Sequence, residues 1–209
     1  MNKTRIFLRF SRKRLMQNAC FRHIEGMEDD TDEAKLRQEN AKKAREAADK
    51  FFPGENWKKV EDGIYLSPRR PMGKHSSYQN ELRDAQILRD LGSTVYLVSE
   101  PNTEGRKYDA IVDGLRFEFK NVGGNMSTLE TQFLRSRSQA PNVFINLEDS
   151  RMTRREIISA LYGARNRPET AKTHGYAHYN KFKGGWIILK IRSQESLIYL
   201  SVDGLKARK

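Results

Sequence analysis

Cysteine is nearly absent from this chain of 209 residues, in which Cys20 stands alone. A single cysteine excludes a disulfide framework within the chain and any zinc site built on several thiolates. Hydrophobic runs are short as well, and none approaches the roughly 20 apolar residues of a membrane-spanning helix. The first 24 residues lack acidic side chains, and their longest apolar run is Ile6–Leu8. That run is too short for the hydrophobic region of a signal peptide, so no membrane span or signal peptide is predicted.

Positive charge is the property that the sequence has in excess, with 39 Lys and Arg against 27 Asp and Glu and a net charge of +12. The charge is uneven: residues 71–150 are slightly acidic, whereas residues 151–209 carry 13 basic and 4 acidic side chains, a net of +9. Carboxylates that hold a metal ion beside a surface that binds a polyanion would produce this pattern. A basic protein that is merely soluble is the alternative.

The segment 107–120 has the pattern of a β-hairpin. Asp113-Gly114 lies between two apolar runs, and a glycine in this place suits the positive φ of a type I′ turn. In the register that this turn sets, Asp109 lies opposite Glu118, and Lys120 shares their face. The other face is apolar and is predicted to pack on a core; it carries Tyr108, Ala110, Val112, Leu115, Phe117 and Phe119.

Two carboxylates that face each other across a sheet repel, and a divalent cation would turn this repulsion into attraction. The pairing therefore predicts a cation site, and it predicts that Asp109→Ala stabilises the metal-free protein. The alternative is ordinary: charged side chains on the solvent-exposed face of a hairpin need no chemical role.

The remaining patterns predict a mixed α/β fold, with a central sheet that has helices on both sides. Predicted helices cover 31–51, 77–91, about ten residues from a capping box at Ser127–Glu130, and 152–162. Predicted strands cover 60–66, 94–98, 142–147, 186–191 and 197–201. We divide the chain into a basic and charged helical extension over residues 1–60, in which the helix packs weakly on the rest, and a domain over residues 61–209.

A helix with Glu81, a strand, Asp109, then Glu118-x-Lys120, and a further helix and strand resemble the PD-(D/E)xK nuclease superfamily. Tyr108 stands where that family usually has a proline. The pieces 80–81, 107–110, 117–120 and 137–143 are similar to the C-terminal nuclease domain of CdiA-type contact-dependent growth inhibition toxins. The resemblance covers about residues 64–202 and implies the restriction-endonuclease-like α/β fold for the domain.

The resemblance also implies roles for the four matching residues. Asp109 and Glu118 would hold Mg²⁺ or Mn²⁺, and Glu81 would bind a second ion or tune the first. Lys120 would orient or activate the attacking water. Oxygen ligands without a nearby His or Cys favour such an ion over zinc. For Glu81, a solvated helix glutamate is the alternative.

Candidate contacts to the substrate are polar or basic side chains that follow the hairpin. Two of them, Gln132 and Gln139, have a structural role as the alternative, and the last two belong to an aromatic and basic run that could equally be a surface loop. The set comprises Gln132, Arg135, Arg137, Gln139, Lys181 and Lys183.

The leading functional hypothesis is a metal-dependent endonuclease of the toxin type that cleaves RNA, with tRNA favoured by the resemblance. DNA cleavage on the same fold and non-catalytic nucleic-acid binding are the alternatives, and a mobile-element protein recruited by its basic N-terminal arm is a third. A toxin implies delivery as a secreted domain, action in the bacterial cytoplasm, and an immunity protein, expected to be acidic, that covers the site.

Overall fold

The computed structural model describes residues 30–70, 76–99, 108–166, 184–192, 194 and 196–205, without the side chains of residues 30–33, 76 and 166. These residues form helices α1 (Asp30–Phe51), α2 (Ser76–Asp90), α3 (Met126–Gln139) and α4 (Arg154–Asn166). The strands are β1 (Lys58–Glu61), β2 (Ile64–Leu66), β3 (Val95–Leu97), β4 (Ala110–Val112), β5 (Leu115–Asn121), β6 (Asn142–Leu147), β7 (Trp186–Ile191) and β8 (Ile198–Ser201). A 3₁₀ turn follows at Asp203–Leu205. The fold is mixed α/β, as the sequence predicted.

The chain divides into two compact units, one of residues 1–99 with 110–115 and one of residues 100–109 with 116–209. This division differs from the predicted boundary after residue 60, which stays a prediction. No helix in the described parts of the chain is long and apolar enough to cross a membrane.

The first unit contains α1, α2 and the strands β1 to β4. Strands β1 and β2 are antiparallel, β2 and β3 are parallel, and β3 and β4 are antiparallel. The predicted single strand over residues 60–66 is wrong, because Asp62-Gly63 reverses the chain there and Gly63 has a φ of +73°. An Asp-Gly pair was the signal for this hairpin between β1 and β2, as it was for the predicted hairpin at Asp113-Gly114.

Helix α1 matches the predicted span, and the apolar stripe predicted for it is fully buried at Ala44 and Ala48 and partly buried at Leu36 and Ala41. Weak packing of this helix on the rest of the protein stays a prediction. Helix α2 also matches its predicted span and is followed by Gly92 with a φ of +89°, the conformation that commonly terminates a helix.

The predicted turn at Asp113-Gly114 is confirmed, since both residues have positive φ, +48° and +86°, as a type I′ turn requires. Asp113 is held in this conformation by Thr94. The Thr94 N–H donates to Asp113 Oδ1 at 2.8 Å, and the Asp113 N–H donates to the Thr94 carbonyl at 3.1 Å. Burial raises the pKa of the Asp113 carboxyl to about 6.

The second unit contains β5 to β8 with α3 and α4. Strands β5, β6 and β7 run parallel in that order, and β8 is antiparallel to β7. One face of these strands forms the core of the unit with the two helices and includes Val143 and Ile145 from β6 and Ile157 and Leu161 from α4.

The two helices of this unit begin with different caps. Asn125, not the predicted Ser127, caps α3 by accepting a hydrogen bond from the Thr128 N–H. The stripe predicted for α3 is buried, as Leu129, Phe133 and Leu134 show. Helix α4 begins with the predicted Thr153 and continues past the predicted end at Gly163 as far as Asn166.

Candidate active site

Asp109 is held against strand β5 by two hydrogen bonds on either side of Glu118. Its backbone N–H donates to the Phe117 carbonyl at 3.0 Å, and its Oδ2 accepts from the Phe119 N–H at 2.8 Å. The Asp109 carboxylate therefore accepts a hydrogen bond from the Phe119 N–H, which in a regular antiparallel ladder would donate to a backbone carbonyl. These bonds bring Asp109 beside Glu118, although the Asp109 N–H bonds to Phe117, one residue before the position opposite Asp109 in the predicted register.

Glu118 is almost completely enclosed, with 1% of its surface exposed. The Lys120 ammonium donates to Glu118 Oε1, and Glu118 Oε2 has no hydrogen-bond partner in the described part of the chain. Burial raises the pKa of Glu118 to about 8, the negative charge of Asp109 adds to the rise, and Lys120 opposes it. An ionised carboxylate here is costly unless more positive charge arrives.

The strand register shows which side of the sheet these groups occupy. Glu118 is aligned with Val143 and Lys120 with Ile145, and residues aligned across parallel strands point to the same face. Val143 and Ile145 belong to the core beneath α3 and α4. Glu118 and Lys120 thus lie on the helix-covered face, and the alternative of a solvent-exposed hairpin face does not describe them. The opposite, apolar face is buried too, at Phe117 and Phe119.

Glu81 lies on α2 in the first unit and is paired there with the Arg70 guanidinium. Arg70 also donates to the Val98 carbonyl, which fixes its position. The Glu81 side chain is 14% exposed, so the alternative of a solvated helix glutamate does not describe it. Its role as a metal ligand stays a prediction.

The predicted substrate contacts on α3 have different surroundings. Arg135 is exposed, and Gln132 and Gln139 are half-buried. Lys181 and Lys183 lie outside the described residues. These assignments remain predictions.

Arg137 has a structural role that its sequence position did not indicate. It is 2% exposed, and its guanidinium donates to the carbonyls of Pro141 and Gly184. Burial lowers the pKa of Arg137 to about 10, with the Arg165 charge contributing. In this conformation the guanidinium is buried and donates hydrogen bonds to backbone carbonyls, so it is not exposed to a substrate.

The donor set fits a hard divalent cation in chemistry. The neighbouring carboxylates of Asp109 and Glu118 are oxygen donors of the kind that Mg²⁺ and Mn²⁺ prefer, and Glu118 Oε2 has no hydrogen-bond partner among the described residues. Across the described residues, no group of three or more His, Cys, Asp or Glu side chains is placed to hold a metal ion. An ion on Asp109 and Glu118 would therefore depend largely on water for its remaining ligands.

Sequence reasoning assigned no role to three exposed arginines at or just before the start of α4, namely Arg151, Arg154 and Arg155. The R-x-x-R-R spacing was visible in the sequence. Only the fold shows at which edge of the sheet these side chains lie.

Comparisons with known proteins give one structural similarity. No family model matches the chain, and no curated protein matches it. A chain of the solved CdiA-CT/CdiI toxin and immunity complex from Burkholderia pseudomallei is similar with a TM-score of 0.41 and 18% identity, over 66% of this chain and 97% of that one.

Proposed function

We propose that this protein is a metal-dependent nuclease of the PD-(D/E)xK type. One observation carries the proposal: the buried Glu118 carboxyl lies beside Asp109 and contacts Lys120, and its Oε2 accepts no hydrogen bond from the residues that the structure describes. A structural ion pair would need only one carboxylate for the ammonium. Two carboxylates around one buried position instead leave room for a second positive charge.

Asp109 and Glu118 would hold Mg²⁺ or Mn²⁺, and Glu81 is the further proposed ligand. When bound, the ion polarises a phosphate oxygen and lowers the pKa of a water molecule. The Phe119 N–H keeps the Asp109 carboxylate in one orientation. Lys120, whose side chain is 22% exposed, would orient the attacking water and stabilise negative charge that develops on the phosphate.

The proposed substrate is RNA, and tRNA in particular, because the sequence pieces around the site are similar to those of CdiA-type toxin nucleases. The same similarity supports a toxin that acts in the bacterial cytoplasm and an immunity protein that covers the site. An acidic immunity protein would complement the net charge of +12.

The test incubates the purified protein with total tRNA and, separately, with plasmid DNA, in Mg²⁺ or in chelator. We expect tRNA to be cleaved in Mg²⁺ alone, and we expect Glu118→Gln to abolish cleavage. Glu46→Gln, which removes an exposed carboxylate from α1, is the matched control and should cleave normally.

Each other outcome identifies an alternative. Cleavage of plasmid DNA but not of tRNA indicates a DNA endonuclease. Binding without cleavage of either substrate indicates a non-catalytic nucleic-acid-binding domain and contradicts the proposal.

A further inference from the structure

Three exposed arginines lie at the N-terminal end of α4, with Arg151 three residues before the helix and Arg154 and Arg155 in its first turn. Arg151, Arg154 and Arg155, here called the arginine cluster, make no hydrogen bond or ion pair among the residues that the structure describes. Arg154 and Arg155 occupy the first turn of the helix, where the positive end of the helix dipole disfavours cations. A local arrangement that opposes stability in this way is typical of a functional surface.

Nearby acidic side chains are engaged elsewhere. The Glu156 carboxylate accepts hydrogen bonds of 2.7 Å from both the N–H and the hydroxyl of Thr153. Glu148 lies 3.9 Å from the Lys190 ammonium, and Asp149 packs beside Gly123 and has a partner of its own. The positive charge of the arginine cluster is therefore available to an anion from outside.

The arginine cluster lies at the same edge of the second unit as Lys120. Strands β5 and β6 are parallel, and Lys120 is one residue from the end of β5, while the loop after β6 leads to the cluster. The two loops that leave this edge touch, since the Ser150 hydroxyl donates to the Gly124 carbonyl at 3.5 Å.

Lys120 and α4 also share a face of the sheet. Lys120 is aligned with Ile145, whose side chain packs in the core that α4 covers. The Lys120 ammonium and the arginine cluster are thus at one edge and on one face of the same unit.

We propose that the arginine cluster binds the phosphate backbone of the nucleic acid beside the bond that is cleaved, an inference that rests on the proposed function. Guanidinium groups donate two parallel hydrogen bonds to a phosphate and keep their charge at all physiological pH values. Such contacts add affinity without sequence preference, and they position the strand. The partner is therefore a polyanionic strand, recognised by its phosphates.

The experiment measures binding of fluorescent tRNA in chelator, where no cleavage occurs, over a series of salt concentrations. The variant Arg151→Gln/Arg154→Gln/Arg155→Gln is compared with Lys42→Gln/Arg45→Gln/Lys50→Gln, which removes three exposed charges from α1. We expect the first variant to bind at least about tenfold more weakly than the second. We also expect the slope of log affinity against log salt concentration to become shallower by about two to three for the first variant, since each phosphate contact contributes roughly 0.7 to 0.9 to this slope.

Equal affinities for the two triple variants would overturn the inference, because net charge alone would then explain the loss. Unchanged binding by the first variant would overturn it as well and would leave the arginine cluster to an acidic protein partner. Cleavage by the wild-type protein in Mg²⁺ is measured separately. Failure of the proposed function, seen as absent cleavage, is thereby distinguished from failure of the arginine contact, seen as unchanged binding.

Discussion

The backbone N–H of Phe119 donates a hydrogen bond of 2.8 Å to Oδ2 of Asp109. This bond makes the Asp109 carboxylate part of the strand architecture as well as a neighbour of Glu118. Its charge and its acceptor oxygen therefore have opposite effects on the metal-free protein: the charge repels Glu118, and the oxygen satisfies a backbone donor. Substitutions can separate these two effects.

For Asp109, replacement by Asn keeps an acceptor for Phe119 and removes the charge. We expect Asp109→Asn to unfold at a higher temperature than the wild type in chelator at pH 9, where Glu118 is ionised. Asp109→Ala loses the hydrogen bond, worth about 1 kcal/mol, and should gain less. Thermal denaturation at pH 9 measures the melting temperatures of the two variants and the wild type. If Asp109→Asn is no more stable than the wild type, the like-charge pairing of Asp109 and Glu118 is contradicted.

The pKa of Glu118 predicts how stability depends on pH. The folded protein keeps this proton up to about pH 8, whereas the unfolded chain releases it near 4.5. The stabilisation is thus fully present below pH 4.5 and is lost as the pH rises through 8. Each unit of pKa difference corresponds to about 1.4 kcal/mol, so we expect metal-free wild type to lose a few kcal/mol over this window.

Glu118→Gln should flatten that dependence, since the amide does not titrate. Urea denaturation in chelator between pH 4.5 and 9 measures it. Asp113→Asn is the control, because Asp113 titrates near 6 in the folded protein and its variant should change only the lower part of the window. A steep fall that persists to pH 8 in Glu118→Gln would refute the buried, proton-holding carboxyl.

Lys120 contacts Glu118, so its replacement tests chemistry separately from metal binding. We expect Lys120→Met to reduce the cleavage rate by about 10²- to 10³-fold, the usual cost of removing one group that stabilises transition-state charge. Stabilisation by Mg²⁺ should remain, because both carboxylates remain. Cleavage kinetics and the Mg²⁺-induced change in melting temperature measure the two effects, with Lys50→Met as the control. Loss of both would show that Lys120 only maintains the site.

Arg137 distinguishes a structural from a substrate-binding arginine. We expect Arg137→Ala to lower the free energy of unfolding by about 3 kcal/mol, because two backbone carbonyls lose a charged donor in a buried place. Affinity for tRNA per folded molecule should be unchanged. Urea denaturation and tRNA binding are both required; unchanged stability with weaker binding would return Arg137 to the predicted substrate contacts.

Local signals in the sequence were sufficient for the turn at Asp113-Gly114 and for the spans of helices α1 and α2. Positive φ at two adjacent residues is a property of those residues, and helix periodicity is a property of short segments, so neither needs the rest of the protein. The same kind of signal at Asp62-Gly63 was available and was missed. The apolar face of residues 108–119 also followed from the alternation of side chains along a strand.

The sequence by itself determined that Asp109, Glu118 and Lys120 would lie together, because a two-residue turn sets the register of the chain on both sides of it. Only the tertiary structure decided that Glu118 is enclosed and that Arg137 is turned toward backbone carbonyls. It alone also put the arginine cluster at the edge where β5 ends. Burial depends on which distant segments cover a face, and the helices that cover this one are separated from Glu118 in sequence. The sequence therefore determines which charged side chains are neighbours, whereas the fold determines how much free energy it costs to keep them ionised.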